Sequence, residues 1–202
     1  MRKSSPMRFL VVALWSCAAW AQGRIQNFDI FISAGPAWNK SHAISGTNVT
    51  LADSWGYSSE TDYGYQVARA SAASLWIDYS MVFPDPGLKA NVPVSSSGKS
   101  GFAATLGLRF MVPVNSRLSF YAVSGGGVGS FWYPAVTGAA NPSVFTNSTT
   151  HGVFVFGGGA DVRLLRWFSL RMEVRDLVTG KDLSGAAGRH HVLPLFGVAF
   201  HF

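Results

Sequence analysis

The chain reads as all-β: eight antiparallel strands closed into an up-and-down transmembrane barrel. Three observations predict this. Apolar and polar residues alternate with a period of two in segment after segment. The connections alternate in length, long polar loops taking turns with links of about three or four residues. The final stretch, Leu193 to Phe202 (LPLFGVAFHF), ends on its most apolar face. A terminal strand of this kind is an open edge unless something pairs with it, and a barrel pairs the last strand with the first.

The N-terminus precedes the barrel. Arg2, Lys3 and Arg8 form a positive region, Phe9 to Ala19 is a short apolar stretch, and Ala19-Trp20-Ala21 is a small-x-small cleavage site before Gln22. This predicts a cleaved secretory signal over residues 1–21, too short to span a bilayer as a helix. A lipid-modified Cys17, the one cysteine, is the rival reading. With ordinary cleavage the mature chain keeps no thiol.

The first strand covers residues 28–38, with Phe28, Ile30, Ile32 and Ala34 opposite Asp29, Phe31, Ser33 and Gly35. Residues 39–60 are a long polar loop. The second strand, 61–70, sets Tyr63, Tyr65 and Val67 on one face, and 71–73 link it to the third, 74–84. There Leu75, Ile77, Tyr79, Met81 and Phe83 oppose Trp76, Asp78 and Ser80. A second loop spans 85–100. The fourth strand, 101–112, sets Phe102, Ala104, Leu106, Leu108 and Phe110 against Thr105, Gly107 and Arg109, and a turn at 113–116 follows. The fifth strand, 117–133, carries Gly125, Gly126, Gly127 and Gly129, which leave its facing open. After the loop 134–149 comes the sixth strand, 150–164, with Phe154, Phe156, Ala160, Val162 and Leu164 opposite Val155, Asp161 and Arg163. The seventh, 168–178, sets Phe168, Leu170, Met172 and Val174 against Ser169, Arg171, Glu173 and Arg175. A fourth loop, 179–189, leads to the last strand. Residues 22–202 thus form one barrel, with long loops on one rim and short turns plus both ends on the other, the pattern of an outer-membrane protein.

Composition agrees. Charged residues make up 13% of the chain, hydrophobic residues 48%, aromatics 14%, and there are 22 glycines. The formal charge of +6 includes three cations of the leader, and no basic run occurs, so nucleic acid is not an expected partner. The faces follow from the charges. Asp29, Asp78, Arg109, Asp161, Arg163, Arg171, Glu173 and Arg175 all lie opposite the apolar face. The interior of an eight-stranded barrel is just wide enough for side chains to fill, and charges packed there must pair. These eight are the candidate lumen network, with Glu173, flanked by Arg171 and Arg175, as its hub. Aromatics suggest interfacial girdles: Trp38, Tyr63, Tyr65, Phe131, Trp132 and Tyr133 on the loop rim, and Trp167, Phe168, Phe200 and Phe202 on the turn rim. A soluble barrel with an apolar lumen is the opposite assignment.

The leader, the eight strands, the alternating loop lengths and the ending Gly197-x-x-Phe200-x-Phe202 together resemble the small eight-stranded outer-membrane β-barrel proteins of the OmpA/OmpX-like group. The resemblance covers nearly all of the mature chain as architecture. It implies export to the bacterial outer membrane, contact with outer-membrane lipid, and recognition of Gly197, Phe200 and Phe202 by the barrel-assembly machinery. Leu195 departs from the polar residue usual two places before the glycine.

No other local motif carries chemistry. Gly98-Lys99-Ser100 lacks the earlier glycine of a phosphate loop, the required position being Pro93. His42, His151, His190 and His191 fall in or near loops, but none has a serine two residues away on the lipid face, as barrel lipid-A deacylases arrange it. His190 and His191 point oppositely on a strand, so one metal ion rarely meets both. The expectation is a non-enzymatic barrel without cofactor or metal, with a structural or surface-interaction role and loop ligands unspecified. A passive pore for small or hydrophobic solutes and a lipid-A-modifying enzyme are the alternatives.

Overall fold

The computed structural model describes residues 27–39, 42–43, 50–52, 54–85, 89–90, 101–132, 148–179 and 189–202. The leader and Cys17 lie outside these residues, as do the girdle side chains of Trp38, Phe131, Trp132 and Tyr133 and the side chain of His42. Eight long strands form a closed antiparallel barrel: β1 (Phe28–Asn39), β2 (Ser54–Arg69), β3 (Ser74–Asp85), β4 (Gly101–Pro113), β5 (Leu118–Trp132), β6 (Ser148–Leu165), β7 (Phe168–Thr179) and β8 (Arg189–His201). Each strand pairs with its chain neighbours, and β1 pairs with β8. Three short strands, His42–Ala43, Thr50–Ala52 and Lys89–Ala90, make a small separate sheet on the loop side.

The period of two becomes two faces. Ile32, Leu106, Leu108, Phe110, Met172, Val174 and Phe196 are each about half exposed on the outside, while Phe31, Val82, Val155 and Leu177 are buried inside. An apolar outer surface this continuous is far beyond what a monomer leaves in water and fits hydrocarbon. The glycine-rich β5 takes its facing from its partners: Tyr121 and Val123 point in, Phe120 and Val128 out.

The short links are built locally. Ala70 N–H donates to the Ala73 carbonyl at 2.8 Å. In the next turn the Asn115 Oδ1 accepts from the backbone N–H of both Arg117 and Leu118, each at 2.8 Å, a side chain standing in for a backbone acceptor. Arg166 and Trp167 make the third turn, beside a register shift between β6 and β7.

Closure is the shortest ladder of the barrel. β1 pairs with β2 along its whole length but with β8 only from Asp29↔His201 to Ala34↔Phe196. Beyond that point each strand carries a proline, Pro36 and Pro194, which has no N–H to give. At the turn rim Phe28 and Phe202 exchange backbone hydrogen bonds of 3.3 and 2.8 Å.

The strand bounds correct two expectations. β2 begins at Ser54 rather than residue 61, so it runs seven residues further toward the loops. Tyr63 and Tyr65 therefore sit on the turn half, not the loop rim: Tyr65 is level with Phe28 and Tyr63 packs against Tyr79 at 6.2 Å. The outward aromatics toward the loop end of β2 are Trp55 and Tyr57.

Candidate functional site: an ionic layer in the lumen

Inward-facing positions of every strand meet in the lumen, in three layers. The middle layer is ionic. Asp29 of β1, Glu60 and Asp62 of β2, Asp78 of β3, Arg109 of β4, Asp161 of β6, and Arg171, Glu173 and Arg175 of β7 are all buried there. Alternation alone puts Arg171, Glu173 and Arg175 on one face, 2 residues apart in turn.

Asp29 bridges two arginines. Its Oδ1 accepts from Arg109 Nη2 and its Oδ2 from Arg171 Nη2, both at 2.7 Å. Arg171 reaches on to Asp161 through Nε at 3.0 Å, and Arg109 to Asp78 at 3.3 Å. Their guanidinium planes lie over aromatic rings: Arg109 over Trp76 at 5.2 Å, and Arg171 over Phe31 at 5.0 Å and Tyr121 at 5.4 Å. The ring faces supply a diffuse negative surface where no oxygen is available.

Arg175 is the centre of the loop-side half. It meets Glu60 at 2.9 Å, Asp62 at 2.7 Å, Asp78 at 3.3 Å, and Glu173. Ser80 donates to Glu60 at 2.7 Å, and the Tyr121 hydroxyl donates to Glu173 at 2.6 Å. The hub is thus Arg175, not Glu173. Glu173 pairs with Arg175 and Tyr121, whereas its other flanking arginine, Arg171, turns toward β1 and β6.

Below, near the turn rim, Ser169 donates to Asp161 at 3.0 Å and lies 2.9 Å from His201 Nε2. A hydroxyl has one proton, so a serine that donates to Asp161 accepts from His201. Trp76, Met111 and Tyr121 pack together on this side. Above the ionic layer Ala37, Val82, Ala103, Val153, Val155, Leu177, Leu193 and Leu195 form one apolar cluster across the lumen.

Of the eight predicted lumen charges, seven meet in this layer. Arg163 does not. It keeps the inward parity of β6 but stands one step past Asp161, at the turn rim, where it is exposed. A long side chain at that height extends its charge into water instead of burying it. Glu60 and Asp62 are the lumen residues sequence reading missed. The alternation Ser58, Glu60, Asp62 and Gly64, between Tyr57, Tyr63 and Tyr65, was the available signal.

Gly64 explains how the layer fits. A side-chain carbon there would strike the Arg109 guanidinium and Asp29 Oδ1. Gly64→Val is expected to cost about 1–3 kcal/mol by overpacking. Gly126→Ala, where the nearest atom is Val153 O at 3.5 Å, is expected to be nearly neutral. Denaturant midpoints in detergent compare the two, and equal midpoints would remove the packing role of Gly64.

His190 faces outward at the loop end and meets Asp176 at 2.5 Å, while His191 has the opposite parity on β8. Among the described residues no group of three His, Cys, Asp or Glu side chains is placed to hold a metal ion.

No protein-family description matches the sequence, and no curated protein matches it. Solved structures match the fold. Neisserial surface protein A is similar with a TM-score of 0.53 at 16% identity, over 87% of this chain and 97% of that one. The outer membrane protein OprG from Pseudomonas aeruginosa is similar with a TM-score of 0.51 at 13% identity, over 88% of this chain and 97% of that one. The architecture is therefore that of the small outer-membrane β-barrels, reached here by a sequence that shares little with theirs.

Proposed function

We propose that the chain is an integral outer-membrane barrel with a sealed lumen, acting through its structure and its loop rim rather than by conduction or catalysis. One observation carries this reading: the charged groups of the lumen are fully buried and engaged with one another, with an apolar cluster above them. Water and ions need a continuous polar path, and eight strands leave an interior that side chains can fill. The apolar outer belt supports lipid as its surroundings, and the turn-rim aromatics Trp167, Phe168, Phe200, Phe28 and Phe202 support a headgroup boundary there.

In this reading the final residues Gly197, Phe200 and Phe202 serve recognition by the barrel-assembly machinery as well as closure. The expected result in planar bilayers is no steady conductance above background. Sustained single-channel openings by the folded protein would favour the pore reading. Removing residues 40–49 and 134–147 should leave the heat-dependent shift in gel mobility intact while abolishing any surface adhesion the protein confers.

A further inference from the structure

The outer face of the barrel carries a groove of about 630 Å³ that crosses five neighbouring strands, from β5 to β1. Register makes its lower edge a single row: Phe120 pairs with Ala160, Ala160 with Met172, Met172 with Phe196, and Phe196 with Ala34. The upper edge is the next outward row, Gly158, Val174, Pro194 and Pro36. Phe120, Met172, Val174 and Phe196 stand about half exposed as walls. Gly158, Ala160 and Ala34 carry little or no side chain and leave the floor low between them. The charged residue bordering the groove, Glu173, holds its carboxylate inside the lumen against Arg175 and Tyr121.

Height places the groove in one leaflet. Phe120 is two residues from the start of β5 at Leu118, and Pro36 is eight residues from the start of β1 at Phe28. Both strands start at the turn rim, so the groove climbs from near that rim toward the middle of the apolar belt. Neighbouring strands lie about 4.8 Å apart, so five of them span roughly 19 Å. Strands of such barrels tilt by about 35–45°. Rows perpendicular to them slope to match, which gives a rise of roughly 11–14 Å. Half the hydrocarbon thickness of a bilayer is about 15 Å.

Shape and chemistry select the occupant. The barrel wall is convex, so a second barrel laid against it bridges the groove without reaching the floor. A peptide strand joins a sheet through hydrogen bonds at an edge, a closed barrel has none, and Pro36 and Pro194 offer no N–H. A hydrocarbon chain is thin and flexible and asks for no hydrogen bond. In a groove it meets wall on three sides, against one on a smooth surface, and gains dispersion contacts accordingly.

We propose that this groove holds one acyl chain of a phospholipid from the leaflet on the turn side. The proposal rests on the membrane reading above. The barrel then keeps one resident lipid while the rest of its belt meets chains that exchange freely.

Native mass spectrometry of the full chain, refolded in detergent with phosphatidylethanolamine, reads the lipid directly. One lipid is expected to stay on the native barrel at collision energies that strip the detergent. Ala34→Leu combined with Ala160→Leu fills the floor from the lipid side. Losing on the order of ten atom contacts should weaken retention about tenfold. Ala104→Leu adds bulk to the outward face of β4, away from the groove, and should leave retention unchanged. Heat-dependent gel mobility confirms that each form is folded. A folded native barrel that carries no lipid overturns the proposal and leaves the membrane reading standing. A filled variant that retains lipid as the native barrel does overturns it as well, and so does retention of lipid A in place of phosphatidylethanolamine when both are offered. Failure of the native chain to insert into lipid vesicles overturns the membrane reading, and this proposal with it.

Discussion

Arg175→Met should be the most damaging single substitution in the barrel, lowering stability by about 3–5 kcal/mol. Methionine fills much of the same space, so the loss is electrostatic. Glu60, Asp62, Asp78 and Glu173 all converge on this guanidinium, each almost wholly removed from solvent. Without it Asp78 keeps Arg109 at 3.3 Å, and the other three face one another with Ser33, Ser80 and Tyr121 as donors. The measurement is the denaturant midpoint of the refolded protein in detergent. The informative control is Asp62→Asn, which removes one of four negative charges sharing a single arginine. Its Oδ1 already has no hydrogen-bond partner. Asp62→Asn should therefore change stability by no more than about 1 kcal/mol in either direction. A midpoint for Arg175→Met within error of the native protein would show that the loop-side carboxylates do not depend on it.

Asp29→Ala ranks second, with an expected loss of similar size, about 3–5 kcal/mol. One carboxylate satisfies two buried arginines, each at 2.7 Å, and joins β1 to β4 and to β7 across the lumen. Removing it strands Arg109 and Arg171 together. Arg171 keeps Asp161 and its aromatic faces, and Arg109 keeps Asp78 at the longer 3.3 Å. Asp29→Asn retains an acceptor and loses the charge, so its cost should fall between native and alanine. The temperature at which the compact gel band gives way to the unfolded one ranks the three forms. Any order other than native, asparagine, alanine contradicts the bridging role.

The faces of most strands were legible because lipid on one side and packed charge on the other impose a strict period of two. That is why the alternation puts Asp29, Asp78, Arg109, Asp161, Arg171, Glu173 and Arg175 together on one side. The start of β2 was not legible. Ser54 to Glu60 reads SWGYSSE, where Trp55 and Tyr57 still alternate outward but the five other residues are small or polar, so the run reads as loop. Glu60 was lost with it, while Asp62 lies within the expected strand 61–70, on the face opposite Tyr63 and Tyr65. The glycines of β5 hid its facing for a different reason, since a residue without a side chain reports nothing about which way it points. Pairing was beyond reach altogether. Asp29 and Arg171 are 142 residues apart, and only the stagger of the closed sheet sets them level. The same stagger made Arg175 the centre in place of Glu173, whose claim rested on its neighbours along one strand.

The short ladder between β1 and β8 has a consequence for how the barrel breathes. Every other seam joins strands already tethered by a loop or turn, so a pair that parts is held close and reforms quickly. The β1–β8 seam joins the first and last strands of the barrel, and its register stops at Ala34↔Phe196, short of Pro36 and Pro194. Spontaneous opening must concentrate there, at the place where reclosure also has the largest loop to gather. The kinetic weak point of the cylinder is thus its own join, and the Asp29 bridge from β1 to Arg171 acts as a latch set just inside it.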